Sequence, residues 1–248
     1  MLVAVLSDIH SNLAALDAVL DSLGTVDVVW HLGDVVGYGP EPDAVVDRLR
    51  AIDAVGVRGN HDDAVYEAGE AEYFNSFAAA AVAWTRARIW PATRDWLKAL
   101  PPALVHAAEG FTLVHGSPRD PIGEYMAAPW IADECLPDVA TPHCLVGHTH
   151  VPVVFRQTAG RAGSAGRAVE IRVAPDRPLR LDERRCVLNP GSVGQPRDGD
   201  PRASCLLLDT DAGLATWHRV PYDIRATQAA ILSAGLPPWL AHRLSVGQ

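Results

Sequence analysis

Eight side chains in this sequence are of types that hold metal ions or move protons, and they sit where short apolar runs end. LVAVLSDIH closes on Asp8 and His10, VVWHLGD on Asp34, AVGVRGNH on Asn60 and His61, FTLVH on His115, and CLVGHTH on His148 and His150. Five of the ten histidines fall in these endings. Carboxylate, imidazole and amide oxygen together suit divalent Mn, Fe, Zn, Ni or Co, and the lack of a thiolate among them argues against a structural zinc knot. Two carboxylates offset only part of the charge of two dications, so a loaded site stays positive and attracts phosphate. Ions about 3.5–4 Å apart can hold a bridging hydroxide and clamp the attacking and leaving oxygens of an in-line displacement.

The elements that must position these residues follow from hydrophobic pattern. Residues 2–6 read as a strand buried on both faces, followed by a helix that Ser11 or Asn12 caps and that aligns Leu13, Leu16, Leu20 and Leu23. Residues 28–32 then precede a helical stretch at 42–52, and 54–57 form the next strand. This βαβαβ order predicts a largely parallel sheet, at whose carboxyl ends ligands bind. Residues 74–100 read as two helices broken at Pro91, with an Ala, Trp and Leu stripe for core packing. Short runs at 103–106, 111–115, 143–147, 151–156, 168–173, 185–188, 204–209 and 214–219 predict a second, more antiparallel sheet. QTAGRAGSAGRA, from Gln157, predicts a mobile hairpin loop, and the C-terminus from Asp223 reads as two short helices split at Pro237 and Pro238.

With 248 residues, 48% of them hydrophobic, the chain can bury one large core, and a single domain over 1–248 is expected, helices 223–248 packing on it. A formal charge of −9 disfavours nucleic acid as a partner, since coating it needs clustered cations; an arginine-lined cleft stays open. Cys135, Cys144, Cys186 and Cys205 lack C-x-x-C spacing and read as buried reduced thiols. Asp8 interrupts the apolar start too early for a signal peptide or membrane span, so a cytoplasmic protein without a membrane partner is expected. His31, His106, His143, His218 and His242 carry no motif and read as structural. Nothing in the pattern bears on oligomeric state.

In order, D-x-H, G-D, G-N-H-D, H and G-H-T-H across residues 8–192 resemble the calcineurin-like metallophosphoesterase superfamily. The resemblance implies an α/β fold, a four-layer αββα sandwich of two mixed β-sheets flanked by helices. It also implies that Asp8, His10, Asp34 and His150 bind a first metal and Asp34, Asn60, His115 and His148 a second, with Asp34 bridging. His61 would sit beside the scissile group and protonate the leaving oxygen or stabilise transition-state charge, a role that an imidazole pKa of about 6.5 suits. Its alternative is a helix-start residue bonded to Asp62 or Asp63.

Protein Ser/Thr phosphatases of that superfamily carry G-D-Y-V-D-R-G, whereas this chain reads GDVVGYG, with Gly37 where an aspartate orients the histidine; a protein phosphatase is disfavoured. A small bacterial phosphodiesterase branch is similar in length, in GDVVGYGP and in LNPGSVGQPRDG. Some of its members replace the G-N-H-D histidine by cysteine and are limited to diesters, so His61 extends the expected range to activated monoesters. Asn189 and Ser192 would support the metal histidines from behind; Arg197 contacts a substrate phosphate or only charges a turn. Tyr38 stacks on a nucleobase or packs its loop. The segment 116–142 would shape one wall of the cleft.

The reading is thus a dinuclear metal-dependent hydrolase of small phosphate esters, acting on phosphodiesters and activated monoesters through a metal-bridging hydroxide, with Mn as the assay metal. A phosphomonoesterase or nucleotidase is the enzymatic alternative. A non-catalytic metal-binding interaction module, as in the retromer subunit of the same fold, is the other.

Overall fold

Every residue of the first strand from Val3 onward is buried, because both faces of its sheet are covered. In the computed structural model, which describes residues 1–66, 74–106, 108–160 and 166–248, Val3 and Val5 point into the gap between two sheets. Ala4 and Leu6 point the other way, into a layer of helices. That period of two is why the run is apolar throughout rather than alternating. Each fully buried Val or Leu contributes roughly 1.5–3 kcal/mol to holding the layers together.

The first sheet contains β1 (Leu2–Leu6), β2 (Val28–His31), β3 (Val55–Gly56), β9 (Leu179–Arg180), β11 (Ala203–Asp209) and β12 (Leu214–Val220), in the order β3-β2-β1-β11-β12-β9. The second contains β4 (Ala103–His106), β5 (Phe111–Val114), β6 (His143–Leu145), β7 (Val153–Gln157), β8 (Ala168–Ile171) and β10 (Cys186–Asn189), in the order β4-β5-β6-β10-β7-β8. Trp30, Leu206, Leu208 and Trp217 from the first pack on Phe111, Leu113, Leu145 and Leu188 from the second. Helices α1 (Leu13–Leu23), α2 (Pro42–Ala51), α4 (Ser76–Arg86) and α5 (Pro91–Ala99) lie on the outer side of the first sheet, and α6 (Pro129–Cys135) covers the second. This is the αββα sandwich. Asn12 caps α1, its side chain accepting from Ala15 N at 3.2 Å.

Two expectations are corrected. The expected second sheet forms from residues 103–189, but the last two strands are not part of it: β11 and β12 join the first sheet, β11 running antiparallel to β1 and pairing Val5 with Leu206. Of this hairpin β11 is buried along most of its length and belongs beside β1, the other strand so buried, and local pattern cannot say which sheet that is. The second sheet is mixed, with β5, β6 and β10 parallel. Helix α6, within the 116–142 wall, and the two-residue β9 escaped the pattern reading.

The β7–β8 hairpin forms as expected, pairing Gln157 with Ala168, while residues 161–165 of its loop lie outside the described residues. Helices α7 (Ile224–Ser233) and α8 (Pro238–His242) set Ile231 and Leu240 against Tyr38, Ala78 and Ala81. All four cysteines are buried free thiols. No described helix is long and apolar enough to cross a membrane.

Candidate metal centre

The ligand-type residues meet because the parallel strands end at one edge and their loops keep bonding to each other. Beyond β1 and β2 the ladder continues as Asp8 N to Gly33 O at 3.1 Å and His10 N to Asp34 O at 2.9 Å. In the second sheet Gly147 N donates to His115 O at 2.8 Å. The loop after β10 crosses between the sheets, Val193 N reaching Ser7 O and Gly194 N reaching Asp8 O, both at 3.0 Å. Close approach demands glycine here: a Cβ on Gly59 would lie 2.2 Å from Asp34 Oδ1, and one on Gly147 would lie 2.1 Å from Ser7 Oγ.

Seven of the nine non-glycine residues with positive φ among the described residues crowd this edge: Asp8, His10, Ser11, Asp34, Tyr38, His148 and His150. Such conformations cost free energy and persist only where surrounding structure imposes them. The strain aims side chains inward.

Two groups of donor atoms result, one of Asp8, His10, Asp34 and His150, the other of Asp34, His115 and His148, with ligand atoms within 4.8 Å of one another. Asn60 joins the second, its Oδ1 being 3.1 Å from His115 Nε2. Asp34 Oδ2 lies 3.6 Å from His10 Nε2 and 3.5 Å from His115 Nε2, so it belongs to both groups. The structure brings together all seven residues named as ligands from the sequence.

Their remaining hydrogen bonds show what the centre lacks. His10 Nδ1 faces Val36 O at 3.1 Å, His115 Nδ1 faces Leu32 O at 2.7 Å and His150 Nδ1 faces Gln195 O at 2.6 Å. Each Nδ1 therefore carries a proton, as assigned from the acceptor it meets, and each Nε2 is turned toward the centre. Those nitrogens converge: His10 Nε2 is 3.2 Å from His150 Nε2, and His115 Nε2 is 3.1 Å from His148 Nδ1. Asp8 accepts at Oδ2 from Ser7 Oγ and His148 N, while its buried Oδ1 has no hydrogen-bond partner among the described residues. Acceptors facing acceptors in a buried site fit a cation and little else.

The electrostatics agree. Burial opposes charge on His115, yet Asp34 and Asp8 outweigh it and push its pKa up to about 9. Burial likewise opposes charge on Asp8, but His150 and His115 hold its carboxyl below the usual range. The carboxylates draw positive charge to this point.

His61 is the second residue of helix α3 (Asn60–Ala64), its backbone N–H donating to Asp34 Oδ1 at 2.8 Å. Its ring packs against Tyr38, Phe74 and His10, and its buried Nδ1 has no hydrogen-bond partner among the described residues. Neither Asp62 nor Asp63 holds that nitrogen, so the helix-start alternative is not what the structure shows. Gly37 lies against it, and a Cβ there would come within 2.5 Å of Nδ1. Burial lowers the His61 pKa to about 4, with Asp34 pulling the other way, so the free chain holds a neutral ring rather than one near 6.5. Asp62, pushed up to about 7 by burial and by Asp34, accepts from Gly59 N and Val36 N and ties the two loops together.

The remaining sequence candidates have different positions. Asn189 donates to Gly147 O at 2.7 Å and Thr149 Oγ1 at 3.0 Å, bracing the backbone on either side of His148. Ser192 donates to Asp8 O and accepts from Gln195 N, both at 2.7 Å, joining the loop that fixes His150 to the one that carries Asp8. Tyr38 is packed, only 6% exposed, under His10, His61 and the guanidiniums of Arg197 and Arg243. It is no free platform for a base. Arg197 bonds Gln195 Oε1 at 3.0 Å, and burial together with Arg197 lowers Arg243 to about 10. Arg243 and Tyr125 were not found from sequence, because a lone Arg or Tyr outside a motif carries no spacing signal.

A cavity of about 330 Å³ opens on the second group, bounded by Asn60, His61, His148, Phe74, Ile122 and Tyr125 among others. The 116–142 segment does form part of its wall, through Ile122, Gly123 and Tyr125.

A profile described as the calcineurin-like phosphoesterase superfamily domain matches residues 1–213. The crystal structure of a metallophosphoesterase from Sphaerobacter thermophilus is similar at a TM-score of 0.88 and 40% identity, over 100% of this chain and 99% of that one. An uncharacterised protein of Methanocaldococcus jannaschii is 34% identical over 100% of this chain and 98% of its own length. A hypothetical protein from Pyrococcus horikoshii OT3 shares the fold at a TM-score of 0.79 and 22% identity, over 100% of this chain and 98% of that one.

Proposed function

This chain belongs to the calcineurin-like phosphoesterase superfamily, and from that premise we propose that it is a dinuclear metal-dependent hydrolase of phosphodiesters and activated phosphomonoesters. The observation that carries the reading is the double set of converging, buried donor atoms sharing Asp34 Oδ2. Divalent ions held there supply Lewis acidity toward phosphoryl oxygens and activation of water. Asp8, His10, Asp34 and His150 would hold one ion; Asp34, Asn60, His115 and His148 would hold the other.

The protein's own groups do the rest. Backbone carbonyls of Leu32, Val36 and Gln195 fix three imidazoles with their Nε2 atoms inward before any ion arrives. His61 lines the cavity beside Asn60, where a substrate ester linkage would lie, and offers a ring N–H to the leaving oxygen. Its neutral state in the free chain favours charge stabilisation by hydrogen bonding, and a bound phosphate anion would raise its pKa toward proton donation. Among the described residues no acid bonds its Nδ1; Gly37 and the surrounding aromatic rings confine the ring.

The test is to strip metals, restore Mn²⁺, and compare bis(p-nitrophenyl) phosphate with p-nitrophenyl phosphate across pH. Metal-dependent turnover favouring the diester supports the proposal. Preference for the monoester makes it a phosphomonoesterase or nucleotidase. Absence of turnover with either in the metal-loaded protein leaves a binding module.

A further inference from the structure

The cavity beside the second donor group is unlike the centre it adjoins. Among the described residues its lining carries no Asp, Glu, Lys or Arg. Asn60, His61, Asn75 and His148 supply its polar groups, and Phe74, Ala78, Ile122 and Tyr125 its apolar walls. This space adjoins the donor groups and is open to an organic group of an ester seated there. Polyphosphates and charged peptides would meet no opposite charge among its described lining residues.

Two aromatic side chains flank the functional imidazoles. The Tyr125 ring lies 3.8 Å from that of His148, centroid to centroid and 24° from parallel, yet the residue remains 52% exposed. The Phe74 ring lies 4.6 Å from that of His61. An aromatic stacked on a candidate ligand and left half open at a cavity mouth offers its uncovered surface to a planar guest. Burial of that surface against another ring gains both hydrophobic and stacking free energy. Tyr38, the aromatic singled out in the sequence, also lines the cavity, but at 6% exposure it has little free face for a stacked ring.

We propose that this cavity, with Tyr125 and Phe74 as its walls, is a subsite for a planar aromatic group, so that the substrates are phosphate esters bearing a nucleobase or aryl ring. The inference rests on the phosphoesterase reading for the seat of the phosphate. Tyr125 and Phe74 are specificity residues in this scheme, and the metal centre acts on the ester irrespective of the ring.

The test uses the full chain loaded with Mn²⁺ and two probes that differ only in the base, adenosine 5′-monophosphate and ribose 5-phosphate, with affinities measured by calorimetry. The nucleotide is expected to bind about tenfold more tightly. Tyr125→Ala and Phe74→Ala each remove most of that preference while the ribose 5-phosphate affinity stays where it was, and Tyr125→Phe retains it. Equal affinities in the unmodified protein overturn the proposal. So does a Tyr125→Ala variant that weakens both probes alike, since the ring would then only be steadying His148.

The half-open position of Tyr125 makes its variants safe for folding, which melting temperatures check. The two readings fail separately. A protein that prefers the nucleotide but hydrolyses no ester keeps the subsite and loses the hydrolase assignment; a hydrolase indifferent to the base does the reverse.

Discussion

The two donor groups share Asp34 and little else. Asp8, His10, Asp34 and His150 are all at most 2% exposed, sealed beneath the loop that follows β10. The second group opens outward: Asn60 and His148 line the cavity, and Tyr125 stacks on His148 from the open side. Chemically similar donors thus occupy one closed and one open position. A cation held in the closed group would depend on the packing of the loops around it, whereas one in the open group would face the cavity. On the proposed function, the closed group would serve assembly and charge, and the open group contact with the ester.

Replacing the shared residue removes the comparison altogether. Asp34→Ala should lower turnover by about a thousandfold or more, equivalent to ~4 kcal/mol of barrier, with atomic absorption showing both ions depleted. Separate substitutions then set the groups against each other. His10→Ala should lose ion content and melting temperature together; His148→Ala should retain one ion and nearly all of its melting temperature while losing activity about a hundredfold. Equal loss of ions and stability in the two variants would break the distinction between closed and open.

His61→Ala tests a group that touches the open side without binding metal. It should reduce kcat by about a hundredfold with ion stoichiometry unchanged. If ions are lost as well, the ring is serving the metal centre instead of the ester. Ser192→Ala reaches the closed group through its loop, by freeing Asp8 O and Gln195 N. Titration of the apoprotein should show the tighter ion weakened by about 10–100-fold, with little change at the other.

This asymmetry divides what sequence could and could not show. The ligands were legible because metal chemistry restricts residue type, and strand ends restrict position; Asp8, Asn60 and His150 have few other reasons to follow apolar runs in that order. Gly37 was legible for the same reason, as a departure from a pattern. The carbonyls of Leu32, Val36 and Gln195 that set the histidine tautomers were not, since a backbone acceptor leaves no mark on residue identity. Nor was the exchange of β11 and β12 into the first sheet, because pairing between residues about two hundred positions apart is decided by burial on assembly. Tyr125 shows the limit most clearly. Its neighbours in sequence are ordinary, and only its place on His148 separates it from a surface tyrosine.

His31 provides the counter-case to both groups. It lies on β2 at 0% exposure with neither ring nitrogen partnered among the described residues, pressed against Gly56 and near Trp96. Burial alone lowers its pKa to about 4. In His115 the same burial is overcome by carboxylates and the pKa rises, so burial does not identify a ligand; converging acceptors do. The stability consequence has a definite sign. Between about pH 6.5 and 4 the unfolded chain binds a proton at His31 that the folded chain refuses. Stability is therefore full above the unfolded pKa and declines as pH falls through that window, by on the order of 3 kcal/mol in total. Because protonation of the donor residues would also weaken metal binding in acid, the informative quantity is a difference between variants. Chemical denaturation of Mn²⁺-loaded wild type and His31→Leu at pH 7.5, 6.0 and 5.0 should give curves that converge toward neutrality and separate in acid, the leucine variant holding its stability better. Parallel curves would show that water or a rearranged partner reaches His31, and the contrast between a merely buried histidine and a metal-binding one would then rest on His115 alone.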